Sequence, residues 1–168
     1  MDCTVLNAKG QISLEFILIV VIILIYVQTV ILPVSSTALN AADDVTRLSQ
    51  ARKAAQDLTG TINYIGAVPG TSAQTITIFI PKNTAIHCYA NPLQKIGFEV
   101  NLNTPAFACP DALGTPGTHC DKNFTIPSNT YLECAVPSIY AGGNGFAQHL
   151  KIEKKYDPQP KVTVEPVI

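Results

Sequence analysis

Residues 16–27 of this chain form an unbroken apolar run, Phe-Ile-Leu-Ile-Val-Val-Ile-Ile-Leu-Ile-Tyr-Val, followed by Gln28 and Thr29 and then by Val30, Ile31 and Leu32. Counted from 12 to 34, the segment makes a helix roughly 35 Å long at about 1.5 Å per residue, enough to cross a hydrocarbon layer about 30 Å thick. A membrane stage is implied. An ordinary secretory signal carries a shorter apolar region, about 7 to 15 residues, ahead of a small-residue cleavage site, which Ser36-Thr37-Ala38 imitates. Removal after Ala38 is the less favoured expectation, because the run is too long and Glu15 would sit in the inserting segment at a cost of roughly 2 to 3 kcal/mol.

The 168 residues suit one domain with an appendage. Charged residues make up only 14% and the net charge is −1. No basic field exists to neutralise phosphates, so a nucleic-acid partner is not expected.

Four zones follow one another. A short leader covers residues 1–10, the apolar segment 12–34, an amphipathic segment 40–65, and a Pro-rich remainder 66–168; only Pro33 of the twelve prolines precedes Pro69. In the third zone Val45, Leu48, Ala55, Leu58, Ile62 and Ile65 recur mostly at three- and four-residue spacing, with Asp44, Arg47, Lys53 and Asp57 between them. That spacing predicts a helix starting near Asn40, with Asp43 and Asp44 favourably placed at its positive end and Gly66 as its stop. Pro33 removes a backbone donor and predicts either a kink or an unwound hinge over 34–38 between the two helical zones.

Beyond Gly66 the period changes to two. Ile76, Ile78 and Ile80 alternate with Thr75, Thr77 and Phe79; Ile96, Phe98, Val100 and Leu102 alternate with Gly97, Glu99 and Asn101; Leu132, Cys134 and Val136 repeat the pattern. Further strands are expected at 85–89, 146–156 and 162–165. Pro69-Gly70, Pro116-Gly117 and Gly142-Gly143-Asn144-Gly145 supply turn chemistry. The fold class read from these patterns is α+β: a long N-terminal hydrophobic and amphipathic helix, then an antiparallel β-sandwich or barrel-like domain.

Directly before the apolar run stand Lys9-Gly10-Gln11-Ile12-Ser13-Leu14-Glu15-Phe16. Here the sequence resembles the class III signal peptides of archaeal type IV pilin-like proteins, especially the methanogen type that begins Gln-x-Ser-x-Glu-Phe. The resemblance covers residues 9–35 and implies that a membrane prepilin peptidase cuts between Gly10 and Gln11, ahead of the apolar segment, so that the helix stays in the product. It further implies an assembly role for Gln11, Ser13, Glu15 and Phe16, with Glu15 pairing to the new Gln11 ammonium of a neighbouring copy. The residue-level alternative is a solvated Glu15 at a helix start, stabilised by the dipole. The family often has leucine nine positions into the mature chain, where this sequence has Ile19 and, one place earlier, Leu18.

Cys3 would leave with such a leader. Cys88, Cys109, Cys120 and Cys134 remain, an even number compatible with two disulfides in an oxidising compartment. The favoured pairing joins Cys109 to Cys120 across a short Pro/Gly loop and Cys88 to Cys134 between two predicted strands. A competing zinc reading draws on His87-Cys88 and His119-Cys120, but no Cys-x-x-Cys spacing supports it. Asn123-Phe124-Thr125 is a candidate N-glycosylation sequon. No Gly-x-Ser-x-Gly elbow, phosphate loop or His-Glu-x-x-His motif is present, so no enzyme activity, catalytic residue, metal or cofactor is expected.

These observations lead to an expectation of a structural subunit of a cell-surface filament. Its partners would be further copies of itself in a helical homopolymer, a prepilin peptidase with its assembly platform, and the membrane before assembly. The alternative is a minor subunit, adhesin or membrane-anchored binding module with the same leader.

Overall fold

A computed structural model describes the backbone of residues 6–90, 92–110, 116–127, 131–156 and 159–167, and within these the side chains of all but 6–13, 105–110 and 116. The chain divides into two compact units, Met1–Ala41 and Ala42–Ile168.

In the first unit, helix α1 spans Leu6–Tyr26 and passes into a π-helical turn at Val27–Ile31, after which helix α2 begins at Leu32. Neither an unwound hinge at 34–38 nor a helix start at Asn40 occurs, since α2 runs from Leu32 to Ala67. The reason lies one turn before Pro33. A proline in a helix lacks its own donor and its ring clashes with the carbonyl four residues back, here that of Thr29. Thr29 lies inside the π turn, whose wider winding, closed by the Leu32 amide on the Val27 carbonyl, lets the helix continue.

The second unit contains the rest of α2 and eight strands: β1 (Ser72–Ile80), β2 (Thr84–Tyr89), β3 (Lys95–Pro110), β4 (Pro116–Thr125), β5 (Tyr131–Cys134), β6 (Ser138–Ala141), β7 (Phe146–Tyr156) and β8 (Pro160–Pro166). They form two four-stranded sheets, ordered β1-β7-β8-β5 and β4-β3-β2-β6. This is the expected α+β, sandwich-like arrangement, with one departure from antiparallel pairing. β5 and β8 run parallel, because the chain leaves the first sheet after β5, makes β6 in the second and returns through β7 before β8. Two strands escaped the sequence reading. β6 is only four residues long, and β4 begins at the Pro116-Gly117 pair that reads as a turn.

One hydrophobic core joins both sheets to α2. Ala51, Ala54, Ala55, Leu58, Ile62 and Ile65 bring the helix; Ile78, Ile80, Leu132, Leu150, Ile152, Val162 and Val164 the first sheet; Ile86, Ile96, Phe98, Val100 and Leu102 the second. At about 1.5 to 3 kcal/mol for each fully buried large aliphatic side chain, this cluster is the main favourable term in the domain. The helical stripe was read correctly from Leu48 onward. Its first member was not: Val45 is 67% exposed, while Asp44 and Arg47, assigned to the polar face, are buried.

Cys88 on β2 and Cys134 on β5 form a disulfide between the two sheets, with Cα atoms 6.0 Å apart. The helix terminus is held by a charge. Lys154 follows Leu150 and Ile152 on the inward side of β7, and its ammonium donates to the carbonyls of Gly66 (2.8 Å) and Val68 (2.7 Å) at the end of α2. A cation on the last carbonyls satisfies acceptors that have no partner within the helix and complements its dipole. The Lys154→Met substitution keeps the apolar stem but orphans both carbonyls, and should cost about 2 kcal/mol in the chemical unfolding of the full chain in detergent; an unmoved midpoint would show that water serves equally well.

Candidate assembly site

Gly10 and Gln11, between which the cut is expected, both lie within α1, whose backbone is helical from Leu6. Gly10 is the poorest helix former of the opening turns apart from proline, by about 1 kcal/mol against alanine. The side chains of Gly10's successors Gln11 and Ser13 lie outside the described residues. Glu15 and Phe16 are both exposed. From 14 to 41 no side chain is buried, and the helix is long and apolar enough to cross a membrane.

The domain unit holds the site that sequence patterning missed. Asp44 Oδ1 accepts from the Asn103 amide (3.0 Å) and the Asn103 side chain (3.1 Å), and Oδ2 accepts from the Thr104 amide (2.8 Å) and hydroxyl (2.8 Å). Arg47, one turn on, donates from Nη2 to Asp44 Oδ1 and from Nη1 to the Asn101 carbonyl at 2.9 Å. Its Nε lies 3.3 Å from Asp43 Oδ2, close enough for charge attraction but without hydrogen-bond alignment; Lys82 pairs with the same oxygen at 3.0 Å.

This clamp has a cause in the sheet. The β3–β4 ladder is regular up to Asn101 opposite His119 and resumes only at Ala106 opposite Gly117, while β2 last pairs with β3 at Val100. Residues 102–104 therefore cross a gap in both ladders, and a buried amide without an acceptor costs on the order of a hydrogen bond or more. The carboxylate of Asp44 supplies the acceptors. Burial by itself raises its pKa, but the Asn103 amide, the Thr104 hydroxyl and amide, and the Arg47 charge together hold it below the ordinary carboxylate value of 3.8.

Of the other expected site residues, Cys120 sits on β4, buried and disulfide-bonded; the side chain of Cys109, its expected partner, lies outside the described residues. Cys88, being in a disulfide, has no thiolate to offer zinc. His87 Nε2 is 3.3 Å from Glu99 Oε2 and His119 Nδ1 is 3.7 Å from Glu99 Oε1, yet no group of three or more metal-ligating side chains is positioned for an ion among the described residues. Asn123 stands exposed in the middle of β4.

Comparison with family models, with curated proteins and with solved structures gave no match, so the functional reading rests on the chain's own residues.

Asp44 yields a test with a definite sign. A carboxyl whose folded-state pKa is depressed contributes stability that is present above the unfolded value, about 3.9, and is lost as pH falls through the lower folded value. The Asp44→Asn variant should be destabilised by about 3 kcal/mol at pH 7, and its deficit against the parent should shrink as pH falls below about 4. Urea midpoints for both chains at pH 7, 5 and 3 measure this; a deficit independent of pH would mean that shape and not charge holds the clamp.

Proposed function

We propose that this chain is the precursor of an exported structural subunit, cut between Gly10 and Gln11 by a membrane peptidase of the prepilin class and built through its apolar helix into an extracellular filament of the archaeal type IV pilus kind. The observation that carries the reading is the unburied apolar surface of residues 14–34, joined in one chain to a domain that completes its own core and is closed by a disulfide. Apolar surface of this extent does not stay in water. Lipid covers it while the subunit waits in the membrane, and the helices of neighbouring copies cover it after extraction. Intersheet disulfides belong to oxidising compartments, which agrees with a domain that folds outside the cell.

Within this reading Glu15 is the one charge in the packed part of the helix. An exposed ion pair contributes about 0 to 1 kcal/mol, whereas an unpaired carboxylate shielded from water costs several. A subunit whose Glu15 meets no ammonium is therefore penalised, and the pair selects one axial position of each copy against the next.

Two measurements test the proposal. Intact-mass analysis of the protein recovered from its cells should give a chain beginning at Gln11; a start at Thr37 or Leu39 would indicate ordinary secretion, and an uncut chain a simple anchor. The Glu15→Ala chain should still be cut after Gly10 and accumulate in membranes, while its share in filaments sheared from the cell surface drops at least tenfold, the equivalent of about 1.4 kcal/mol per subunit contact. Full assembly of Glu15→Ala would leave Glu15 as a solvated helix-start residue.

A further inference from the structure

Four strands end the two sheets, and three of them are shielded. β5 and β6 are only four residues long, and β4 carries Asp121 and Lys122. Short length and charge are the usual protections of a sheet edge against pairing with another chain. β1 has neither. Its nine residues, Ser-Ala-Gln-Thr-Ile-Thr-Ile-Phe-Ile, include no charge, proline or glycine, and they pair with β7 without a bulge, so the opposite edge is straight. That edge has no backbone partner among the described residues.

A groove runs between this edge and the flank of α2. Its wider part, about 800 Å³, is lined by Asp57, Gly60 and Tyr64 of the helix and by Ile76 and Thr77 of β1. Asp57 and Thr77 also line its continuation, together with Lys53. Tyr64 is 66% exposed. The Asp57 carboxylate, the Lys53 ammonium and the Tyr64 hydroxyl have no hydrogen bond or ion pair among the described residues. Gly60 stands in the helix interior, where glycine is the poorest choice after proline. A Cβ on it would meet nothing within 4 Å, so the domain's own packing gives no reason for a glycine there.

We propose that the free edge of β1 receives β1 of a second copy of this chain, antiparallel, about a twofold axis normal to the sheet that passes Ile76 and Gly60. Ile76 is the central residue of β1 and lines the same part of the groove as Gly60, so one axis centres both the strand and the helix flank. A copy turned about that axis sets residues three or four places before Gly60 against those three or four places after it. Asp57 then meets Tyr64 of the partner subunit, an acceptor against a donor. Lys53 meets the last helical turn of the partner, the negative end of its dipole. The flank is thus complementary to itself, as an isologous contact requires.

The strand edges satisfy each other in the same step, and the two four-stranded sheets continue into one of eight strands. Because the axis is normal to the sheet, both α2 helices lie over the same face of it. Gly60, bare of a side chain, lets them approach across the seam. The inference goes beyond the filament reading and does not require it. A twofold reverses α2, so this contact cannot repeat between successive copies that all point one way; it joins domains of separate assemblies.

The experiment is sedimentation velocity on the full chain in detergent over a concentration series, with unfolding midpoints measured beside it. The parent should dimerise with a Kd on the order of 10 µM, the regime of small interfaces. Gly60→Leu should raise the Kd by about tenfold or more without lowering the midpoint, because leucine is the better helix former and its side chain enters open space in the monomer. Thr75 and Thr77 are exposed, and the axis sets position 75 of one copy opposite 77 of the other. Thr75→Lys combined with Thr77→Lys therefore places like charges across the seam and should abolish the dimer. Asp57→Asn and Tyr64→Phe should each weaken it, and together no more than the stronger of the two, since both remove one contact. A parent that stays monomeric overturns the proposal and leaves the groove to a strand of a different protein. A dimer that survives the paired lysines or Gly60→Leu overturns it as well, because the apolar helix then does the joining. Neither result touches the filament reading, which stands or falls on the mature N-terminus and on Glu15.

Discussion

The Asp44 carboxylate is the interaction on which the domain's architecture turns. Between Asn101 and Ala106 the third strand has no continuous partner, and its part-buried amides at 103 and 104 would lack a protein acceptor without Asp44. Asp44 accepts from both, and Arg47 closes the arrangement by taking up the Asp44 charge and the Asn101 carbonyl. Removing either member leaves the other as a buried charge, which costs more than the pair contributes. The clamp therefore acts as a registration device. It fixes which turn of α2 meets which part of β3, and every core contact from Ala51 to Ile65 follows at the helical repeat from that point. At the other end of the same helix segment Lys154 performs a related task on the carbonyls of Gly66 and Val68. Apolar packing supplies most of the stability between the two ends, but it is non-directional and would tolerate a slip of one turn; the charged groups do not.

That division explains which parts of the fold were legible in the sequence. Periodicity reports apolar faces, so it found the stripe at Ala55, Leu58, Ile62 and Ile65, the alternation in β1, and the full extent of β7. It is blind to a charged residue whose partners are distant in sequence. Arg47 and Asp44 read as solvated because their acceptors and donors lie 54 to 60 residues on, and Val45 between them read as core for the complementary reason. Lys154 carried a usable signal: it shares parity with Leu150 and Ile152, so strand alternation alone places it inward. Pro33 was read as a kink or as an unwound hinge over 34–38; the unwound hinge does not occur, because the π turn at Val27–Ile31 accommodates the proline and the helix continues from Leu32. The parallel pairing of β5 with β8 was not readable at all, because no local pattern records that the chain changes sheets between them.

The candidate site divides in the same way. The segment from Gly10 to Phe16 was singled out by a resemblance in residue identities, which the fold neither needs nor explains, and Glu15 and Phe16 are unburied. Residues that hold a fold together acquire partners within it; residues kept for assembly do not. By that criterion the domain accounts for its buried polar groups with few exceptions, whereas the apolar side chains from 14 to 34 find no burial among the described residues. The unmet requirement is the functional signal, and it is expressed in side-chain chemistry and not in backbone shape.

On the proposed reading the helix passes from lipid to a bundle of protein helices and so faces two solvents with one surface. In lipid, every backbone polar group has to be satisfied within the segment, since no water competes for it. Pro33 removes one backbone donor near the end of the apolar segment; around it the Thr29 hydroxyl donates to the Ile25 carbonyl, and Ser36 and Thr37 both donate to the carbonyl of Pro33. These contacts turn the hydroxyls inward onto the helix backbone, so that residues polar by composition present little polar surface. From 16 to 27 the surface is large and apolar, aliphatic but for Phe16 and Tyr26, without the small residues that draw helices together by close backbone approach in membranes. Such a helix has little reason to associate while lipid surrounds it. Its association would begin when extraction replaces lipid by water, because only then does burying aliphatic surface against other copies lower the free energy. If the chain is the filament subunit proposed above, the composition of the segment favours one that stays dispersed in the membrane and packs when it is drawn out.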